Sequence, residues 1–283
     1  MISAERRERI RTILLEKKSV TVAEIAALFQ VSTETIRRDF DMLSDEGFLK
    51  KSYGGATLAP RKGTVVSQRI KSGLMLESKR RMAKRAAGFV KPNDCIFLDH
   101  STTVYEMCEE IAHLPLTVMT NSLPVMNRLS ESANIRLVTL GGNFDIVSQG
   151  FFGLEAVRSL KRYRLDKAFL SCRTLDIRHG LSDAEEMVAD MRRNIVNSSE
   201  FICLLADYSK FGRSVFIQTC GFEDINCVIT DRKLDDEWRA FFQGEHIEYM
   251  ECEGQTQTGE QTQAKRQTQA GEHAQAKRQV QSE

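Results

Sequence analysis

The sequence predicts an α/β protein in two parts, an N-terminal winged helix–turn–helix and a C-terminal doubly wound sheet. Three observations carry that reading. Residues 20–58 offer two short apolar-backed helices, a tight turn and a basic hairpin. From residue 76 short apolar strands alternate with helices, the pattern of a mostly parallel sheet covered on both faces. Charge divides between the same two parts. Residues 1–91 hold 20 lysines and arginines against 10 acids, so in a chain of net charge +1 the remainder stands near −9. A basic end on an acidic body points to nucleic acid at that end and not along the whole chain.

The 283 residues suffice for two domains at ~100–200 residues each. Charged and hydrophobic fractions of 28% and 41% are those of an ordinary globular chain. The seven cysteines show no C-x-x-C and mostly sit in apolar runs such as Phe201-Ile202-Cys203-Leu204-Leu205. They read as buried free thiols, so neither a metal nor a cofactor is expected. With no run of ~18 apolar residues and no signal-peptide core, a cytoplasmic protein without a membrane partner is expected.

A first helix is predicted over 5–17, with Ile10, Ile13 and Leu14 inside. Its arginines 6, 7, 9 and 11 suit either a solvated face or phosphate contact. Thr21 suits an N-cap, with Glu24 completing a capping box. Val22, Ile25, Ala26 and Phe29 then follow at helical spacing, Gln30-Val31 turns the chain, and Ser32 caps the next helix. There Ile36, Phe40 and Leu43 share one face, while Glu34, Arg38, Asp41 and Asp45 point the other way with Thr35 and Arg37 on the flanks. Such a helix suits entry into a major groove N-terminus first, with Ser32, Thr33, Glu34, Thr35, Arg37 and Arg38 as the DNA-contacting set. Gly47 is expected to end it. Residues 48–58 form a hairpin whose Lys50 and Lys51 would lie on the phosphate backbone. The bland alternative is a small helical subdomain with a solvated face, on which Glu34 and Arg38 simply pair for ~0.3–0.5 kcal/mol.

Residues 59–75 read as a linker. Helices are predicted over 79–90, 102–113, 122–131, 150–160, 183–198 and 234–242. Strands are predicted over 95–98, 116–119, 135–140, 167–171, 201–206, 215–218, 227–230 and 246–250. From 254 to 283 the chain is polar, with Gln-Ala-Lys-Arg-Gln at 263–267 and again at 275–279. With almost no apolar side chains it is expected to be a disordered tail.

In doubly wound sheets ligands bind beyond the C-terminal strand ends. There the sequence places Asp99-His100-Ser101-Thr102-Thr103, Thr120-Asn121-Ser122, Gly141-Gly142 and Asp207-Tyr208-Ser209-Lys210. A helix start carries about half a positive charge, so Ser101, Thr102 and Thr103 suit an anion, with Lys210 as the cation. Asp99 and Asn121 are expected to orient hydroxyls. Singly, each of these runs also reads as an ordinary capped turn. His100 and His179 read as structural or solvated, with no carboxylate–histidine pair visible from spacing.

Val31-Ser32, Thr35-Ile36-Arg37-Arg38-Asp39, Leu43, Gly47 and Gly54-Gly55-Ala56 match the run V-S-x-x-T-I-R-R-D, L-x-x-x-G, x-G-G-A. The segment resembles the winged helix–turn–helix of DeoR-type (deoxyribose-operon repressor-type) regulators. Residues 76–250 are similar to that family's sensor domain. Its D-x-G-T-T, T-N-S, G-G and D-x-S-K-F motifs correspond to 99–103, 120–122, 141–142 and 207–211. The resemblance implies a sensor fold like ribose-5-phosphate isomerase and the CoA transferases, a sugar-phosphate effector, and a dimer or higher homo-oligomer on double-stranded operator DNA. Ser101 in place of glycine, the run 171–176 and Asp190 resemble the branch containing the L-fucose operon activator. Most of the family carries E-A-x-x-K where this chain has Val188-Ala189-Asp190-Met191-Arg192.

The expected organisation is a DNA-binding domain at 3–58, a linker at 59–75, a sensor and oligomerisation domain at 76–253 and a tail at 254–283. The expected function is a transcriptional regulator of carbohydrate catabolism, usually a repressor in this family. Two rivals come from other classes. One is a sugar-phosphate isomerase fused to a DNA-binding module, which the absence of a carboxylate following Asp166 in 166–171 argues against. The other is an architectural DNA-binding protein whose C-terminal part only oligomerises.

Overall fold

Apolar side chains at helical spacing bring three helices and a small sheet together at the N-terminal end. The computed structural model describes residues 3–17, 19–45, 48–58, 68–73 and 75–253. Helices α1 (Ser3–Lys17), α2 (Val22–Phe29) and α3 (Thr33–Asp45) join strands β1 (Ser19–Thr21), β2 (Leu49–Ser52) and β3 (Gly55–Leu58). Ile10, Leu14, Ile25, Ile36, Phe40 and Leu43 are buried together with Phe48 and Ala56. Truncating a buried aromatic such as Phe40 to alanine costs about 3–5 kcal/mol in cores of this kind. The predicted caps form: Thr21 Oγ1 accepts from the Glu24 amide at 3.1 Å, and Ser32 Oγ from the Thr35 amide at 3.2 Å. Gln30 turns the chain in the left-handed region at φ 54°, with its amide on the carbonyls of Ala26 and Ala27. Gly47 lies outside the described residues.

The hairpin has a third strand that the sequence did not show. The sheet order is β1-β3-β2, with β1 antiparallel to β3. This explains the double glycine. Gly54 takes φ 78° at the tip, and a Cβ on Gly55 would stand 2.3 Å from the carbonyl oxygen of Val20 in β1. A second surprise ties α1 to α3. Asp39 is buried, with Arg6 Nε at 2.6 Å and Arg7 Nη1 at 3.6 Å. Arg6 therefore belongs neither to a solvated face nor to a phosphate contact.

The stretch read as a linker carries a helix, α4 (Gln68–Gly73). There follow α5 (Leu76–Ala87), β4 (Cys95–Leu98), α6 (Thr102–Tyr105), α7 (Met107–Ile111), β5 (Leu116–Thr120), α8 (Leu123–Leu129) and β6 (Ile135–Thr139). A hairpin of β7 (Asn143–Asp145) and β8 (Gly150–Phe152) leads into α9 (Leu154–Leu160), β9 (Leu165–Leu170), β10 (Thr174–Asp176), β11 (Gly180–Asp183) and α10 (Glu186–Asn197). The chain closes with β12 (Ser199–Leu205), β13 (Ile217–Cys220), β14 (Cys227–Thr230), α11 (Asp236–Gly244) and β15 (Glu248–Glu251).

Seven strands form one sheet in the order β15-β14-β12-β9-β4-β5-β6, and every neighbouring pair is parallel. Side chains alternate between two apolar layers as the pleat requires. Ile96 and Leu98 enter one layer and Phe97 the other; Phe169 opposes Ala168 and Leu170 in the same way. From the central pair the chain runs outward both ways, through β5 and β6 on one side and β12, β14 and β15 on the other. The switch point therefore lies between β4 and β9.

Several predicted elements are corrected. The helix expected over 102–113 breaks at Glu106 into α6 and α7, and the one expected from 150 begins only at Leu154 because 150–152 is strand. The strand expected at 215–218 lies instead at Ile217–Cys220, outside the main sheet, in a three-stranded antiparallel ribbon with β10 and β11. Among the described residues no helix is long and apolar enough to cross a membrane.

Candidate functional site

The outward face of α3 has the composition expected of it. Arg37 and Arg38 side chains are 65% and 79% exposed, each 3.8 Å from a Glu34 carboxylate oxygen, a distance at which an exposed pair holds little. Ser32, Thr33 and Glu34 are also exposed, while Thr35 is half-buried with its hydroxyl 2.9 Å from that of Ser32. On the hairpin Lys50 is exposed, whereas Lys51 donates to Asp41 Oδ1 of α3 at 2.7 Å. That bond raises the Lys51 pKa and ties hairpin to helix.

The strand-end site is built on Asp99, fully buried where β4 stops. Its Oδ1 accepts from the Ser101 amide at 2.8 Å, and its Oδ2 from the Ser171 amide at 3.1 Å, so it bridges the ends of β4 and β9. Arg192 of α10 adds two more bonds to Oδ2, from Nε at 3.3 Å and Nη2 at 3.1 Å. Arg192 Nη1 also reaches Asp183 Oδ1, and Asp183 Oδ2 accepts from Thr219 at 2.8 Å. Burial alone pushes the Arg192 pKa down and the Asp183 pKa up. Their mutual charge outweighs it, leaving the arginine raised and the aspartate lowered.

This network engages two of the residues expected at the effector site. Asp99 accepts three bonds on Oδ2 and one on Oδ1, so most of its acceptor capacity is committed within the protein. The Ser101 amide is spent on Asp99, and its hydroxyl caps α6 by accepting from the Val104 amide at 3.2 Å. The amides of Thr102 and Thr103, both buried residues, are bonded to no described residue. Lys210 is bonded at the end of β9: its Nζ donates to the Cys172 carbonyl at 2.7 Å and Ser171 Oγ at 3.2 Å, 4.0 Å from Asp207. It braces the turn after β9.

Asn121, buried at the end of β5, donates Nδ2 to the Phe151 carbonyl at 3.1 Å and leaves Oδ1 buried without a partner among the described residues. Gly141 and Gly142 are exposed. Gly142 is a glycine for structural reasons, with φ 123° and a would-be Cβ 2.4 Å from the Phe152 carbonyl oxygen of β8. The β7–β8 hairpin folds over this end of the sheet, its Phe151 amide on the Asn121 carbonyl at 2.8 Å. Helix α4 docks on the same place: the Gln68 amide donates to the Val147 carbonyl at 2.9 Å, and Gln68 Nε2 to the His100 carbonyl at 2.7 Å.

His100 is buried edge-on to Phe152, with ring centroids 5.1 Å apart. Burial first, then the Arg192 charge, lowers its pKa to about 4, so it is a neutral packing residue near pH 7. His179, by contrast, does pair with a carboxylate. Its Nδ1 lies 2.8 Å from Asp176 Oδ1 across the turn between β10 and β11, an exposed contact that i, i+3 spacing in a tight turn permits. Among the described residues no group of three or more His, Cys, Asp and Glu side chains is placed to hold a metal ion.

Sequence reasoning missed Arg192, Asp183, Thr219, Gln68 and the buried Arg6–Asp39 pair. Two of them left a signal: Arg192 stands where the E-A-x-x-K pattern has its lysine, and Asp39 closes the T-I-R-R-D run.

Residues 6–62 match the DeoR-like helix-turn-helix domain, and residues 75–232 match the DeoR C terminal sensor domain. The chain belongs to the DeoR family. It is 36% identical over 235 residues to the HTH-type transcriptional regulator YulB of Bacillus subtilis, covering 83% of this chain and 91% of that one. It is 34% identical to the putative aga operon transcriptional repressor of Escherichia coli O157:H7, with 82% and 87% covered. Identity to the L-fucose operon activator of Haemophilus influenzae is 28%, with 80% and 91% covered. Among solved structures, ribose 5-phosphate isomerase A of Methanocaldococcus jannaschii aligns at a TM-score of 0.36 and 18% identity over 48% of this chain and 54% of that one. These DeoR relatives are transcriptional regulators, and this chain is a DNA-binding regulator and not an enzyme.

Proposed function

We propose that this DeoR-family chain is a cytoplasmic regulator, acting as a repressor of carbohydrate catabolism genes and controlled by a phosphorylated sugar. Relatives named for the aga operon, the L-fucose operon and the lactose phosphotransferase system support the carbohydrate assignment. Residues 3–58 bind double-stranded operator DNA through Ser32, Thr33, Glu34, Thr35, Arg37 and Arg38, with Lys50 and Lys51 on the phosphates. Residues 76–253 sense the effector and hold a dimer or higher oligomer, which presents paired α3 helices to operator half-sites. The tail, 254–283, is dispensable for both.

One observation carries the effector reading: the β4–β9 switch point joins two strand-end loops through a single buried carboxylate. Around it lie the unbonded amides of Thr102 and Thr103, the unpartnered Asn121 Oδ1 and the half-buried Lys210. Helix α4, first after the DNA-binding residues, rests on the carbonyl just before Ser101. A ligand that moves this loop therefore acts on α4, and it switches the protein only if it binds the DNA-competent and incompetent states with different affinity.

The test is a thermal-shift screen of sugar phosphates and their parent sugars on the full chain, followed by operator release. Stabilisation by a sugar phosphate and not by its parent sugar, together with release, supports the reading. Operator binding with no stabilisation by any sugar phosphate favours an architectural protein instead.

A further inference from the structure

We infer that Arg173 is the residue that grips the phosphate of the effector, as a bidentate partner held ready at the end of β9. The inference rests on the sugar-phosphate reading and deepens it by assigning the charge-bearing contact.

The backbone holds Arg173 from both sides. Two residues before it, the Ser171 amide is bonded to Asp99; immediately before it, the Cys172 carbonyl accepts from Lys210. Immediately after it, Thr174 opens β10 with its hydroxyl 2.9 Å from that of Ser182. The residue is thus fixed at the C-terminal edge of the central strand pair, two positions past the bridge to the Ser101 loop.

Its side chain is half-buried, yet it makes no hydrogen bond or ion pair to any described residue. A guanidinium carries five donors, and taking it out of water without an acceptor is costly. Burial pushes its pKa below the usual value; Asp183 and Glu185 oppose this through space without touching it. Asp183 is committed to Arg192 and Thr219. Glu185 is itself half-buried, with its carboxyl pushed up first by burial and then by Asp145. Arg192, only a strand-end away, shows what a satisfied arginine looks like here, with both neighbouring carboxylates bonded to it. Arg173 lacks that complement, and an oxyanion with two oxygens facing its fork supplies it. Lys71 of α4 adds a second positive charge that acts on Glu185 and His100.

Lys210 has a different part in this arrangement. Two of its three donors hold the 171–172 turn in place, so it positions Arg173 more than it grips the ligand.

A structural arginine and a ligand-binding arginine respond oppositely to removal. The experiment compares full-length wild type, Arg173→Gln and Arg173→Lys by thermal unfolding. The probes are inorganic phosphate, a panel of sugar phosphates, the parent sugars and the corresponding sugar acids. Phosphate and at least one sugar phosphate should stabilise wild type, with the half-saturating concentration raised tenfold or more in Arg173→Gln and less in Arg173→Lys. Without ligand, Arg173→Gln should melt no lower than wild type, because it removes an unpaired charge. Equal half-saturation in wild type and Arg173→Gln overturns the inference and leaves the sensor reading standing. A ligand-free melting point lowered by the glutamine also overturns it, by showing that the side chain supports the fold. Stabilisation by sugar acids alone overturns the assignment of phosphate. If no phosphate compound stabilises wild type, the sensor reading fails, and this inference with it.

Discussion

Helix α3 and the β4–β9 junction are built from the same chemistry, arginine beside carboxylate, and put it to opposite uses. On α3, Arg37 and Arg38 stand in solvent and only approach Glu34, so each can leave that neighbour for a phosphate or a base edge at little cost. At the junction Arg192 is 6% exposed and is held by Asp99 and Asp183, neither of which has another cation bonded to it among the described residues. Burial separates the arginines that are open to a partner from those that support the fold. Arg173 lies between these limits, half-buried and without a hydrogen-bond or ion-pair partner among the described residues.

The largest expected effect breaks the scaffold side. Arg192→Met leaves Asp99 and Asp183 buried without their counter-charge, and should destabilise the fold by about 3–5 kcal/mol in urea titrations. A loss below about 1 kcal/mol would mean that these carboxylates are not held as the geometry implies.

A pH series examines the same region through His100. Its folded pKa of about 4 lies below the ordinary 6.5, among Arg192, Asp99, Asp183 and Lys71. Between those values the unfolded chain binds a proton that the folded chain refuses. Stability should therefore fall as pH drops from about 6.5 to about 4, by roughly 3 kcal/mol at ~1.4 kcal/mol per unit, and be unaffected by this group above 6.5. Urea midpoints for wild type and His100→Gln across pH 4.5–7.5 provide the measurement, and an unchanged slope in the variant would assign the pH dependence to other groups.

The recognition side should respond in binding and not in folding. Arg38→Ala is expected to cost about 1–3 kcal/mol on operator DNA, with weaker base preference and an unchanged urea midpoint. Equal loss on operator and random DNA would demote Arg38 to a phosphate contact. Smallest of all, Lys50→Ala should weaken every DNA sequence alike and lower the salt dependence of binding by about one unit of slope. An unchanged slope would take the hairpin off the phosphates.

The parts legible in the sequence are those that obey local rules. A cap followed by 3.6-residue spacing announces α2 and α3 from Thr21, Ile25, Ser32, Ile36 and Phe40 alone, because a helix start and its buried stripe are encoded within a few turns. Ile96-Phe97-Leu98 reads as a strand for a similar reason, and the strand-end rule then directs attention to 99–103 without any knowledge of the partner strand. Only the tertiary structure decided who meets whom. Arg192 lies 93 positions from Asp99, and Arg6 lies 33 from Asp39. No spacing rule reaches so far, so a buried pair reads in the sequence as two ordinary surface charges. The hairpin strands β7 and β8, three residues each, and the short helix α4 are too brief to show a period; they exist because Asn121, Val147 and His100 offer them backbone partners. The sequence supplied the residues at the strand ends. Burial and long-range pairing determined that Asp99 joins the ends of β4 and β9 and that Arg173 has no partner among the described residues.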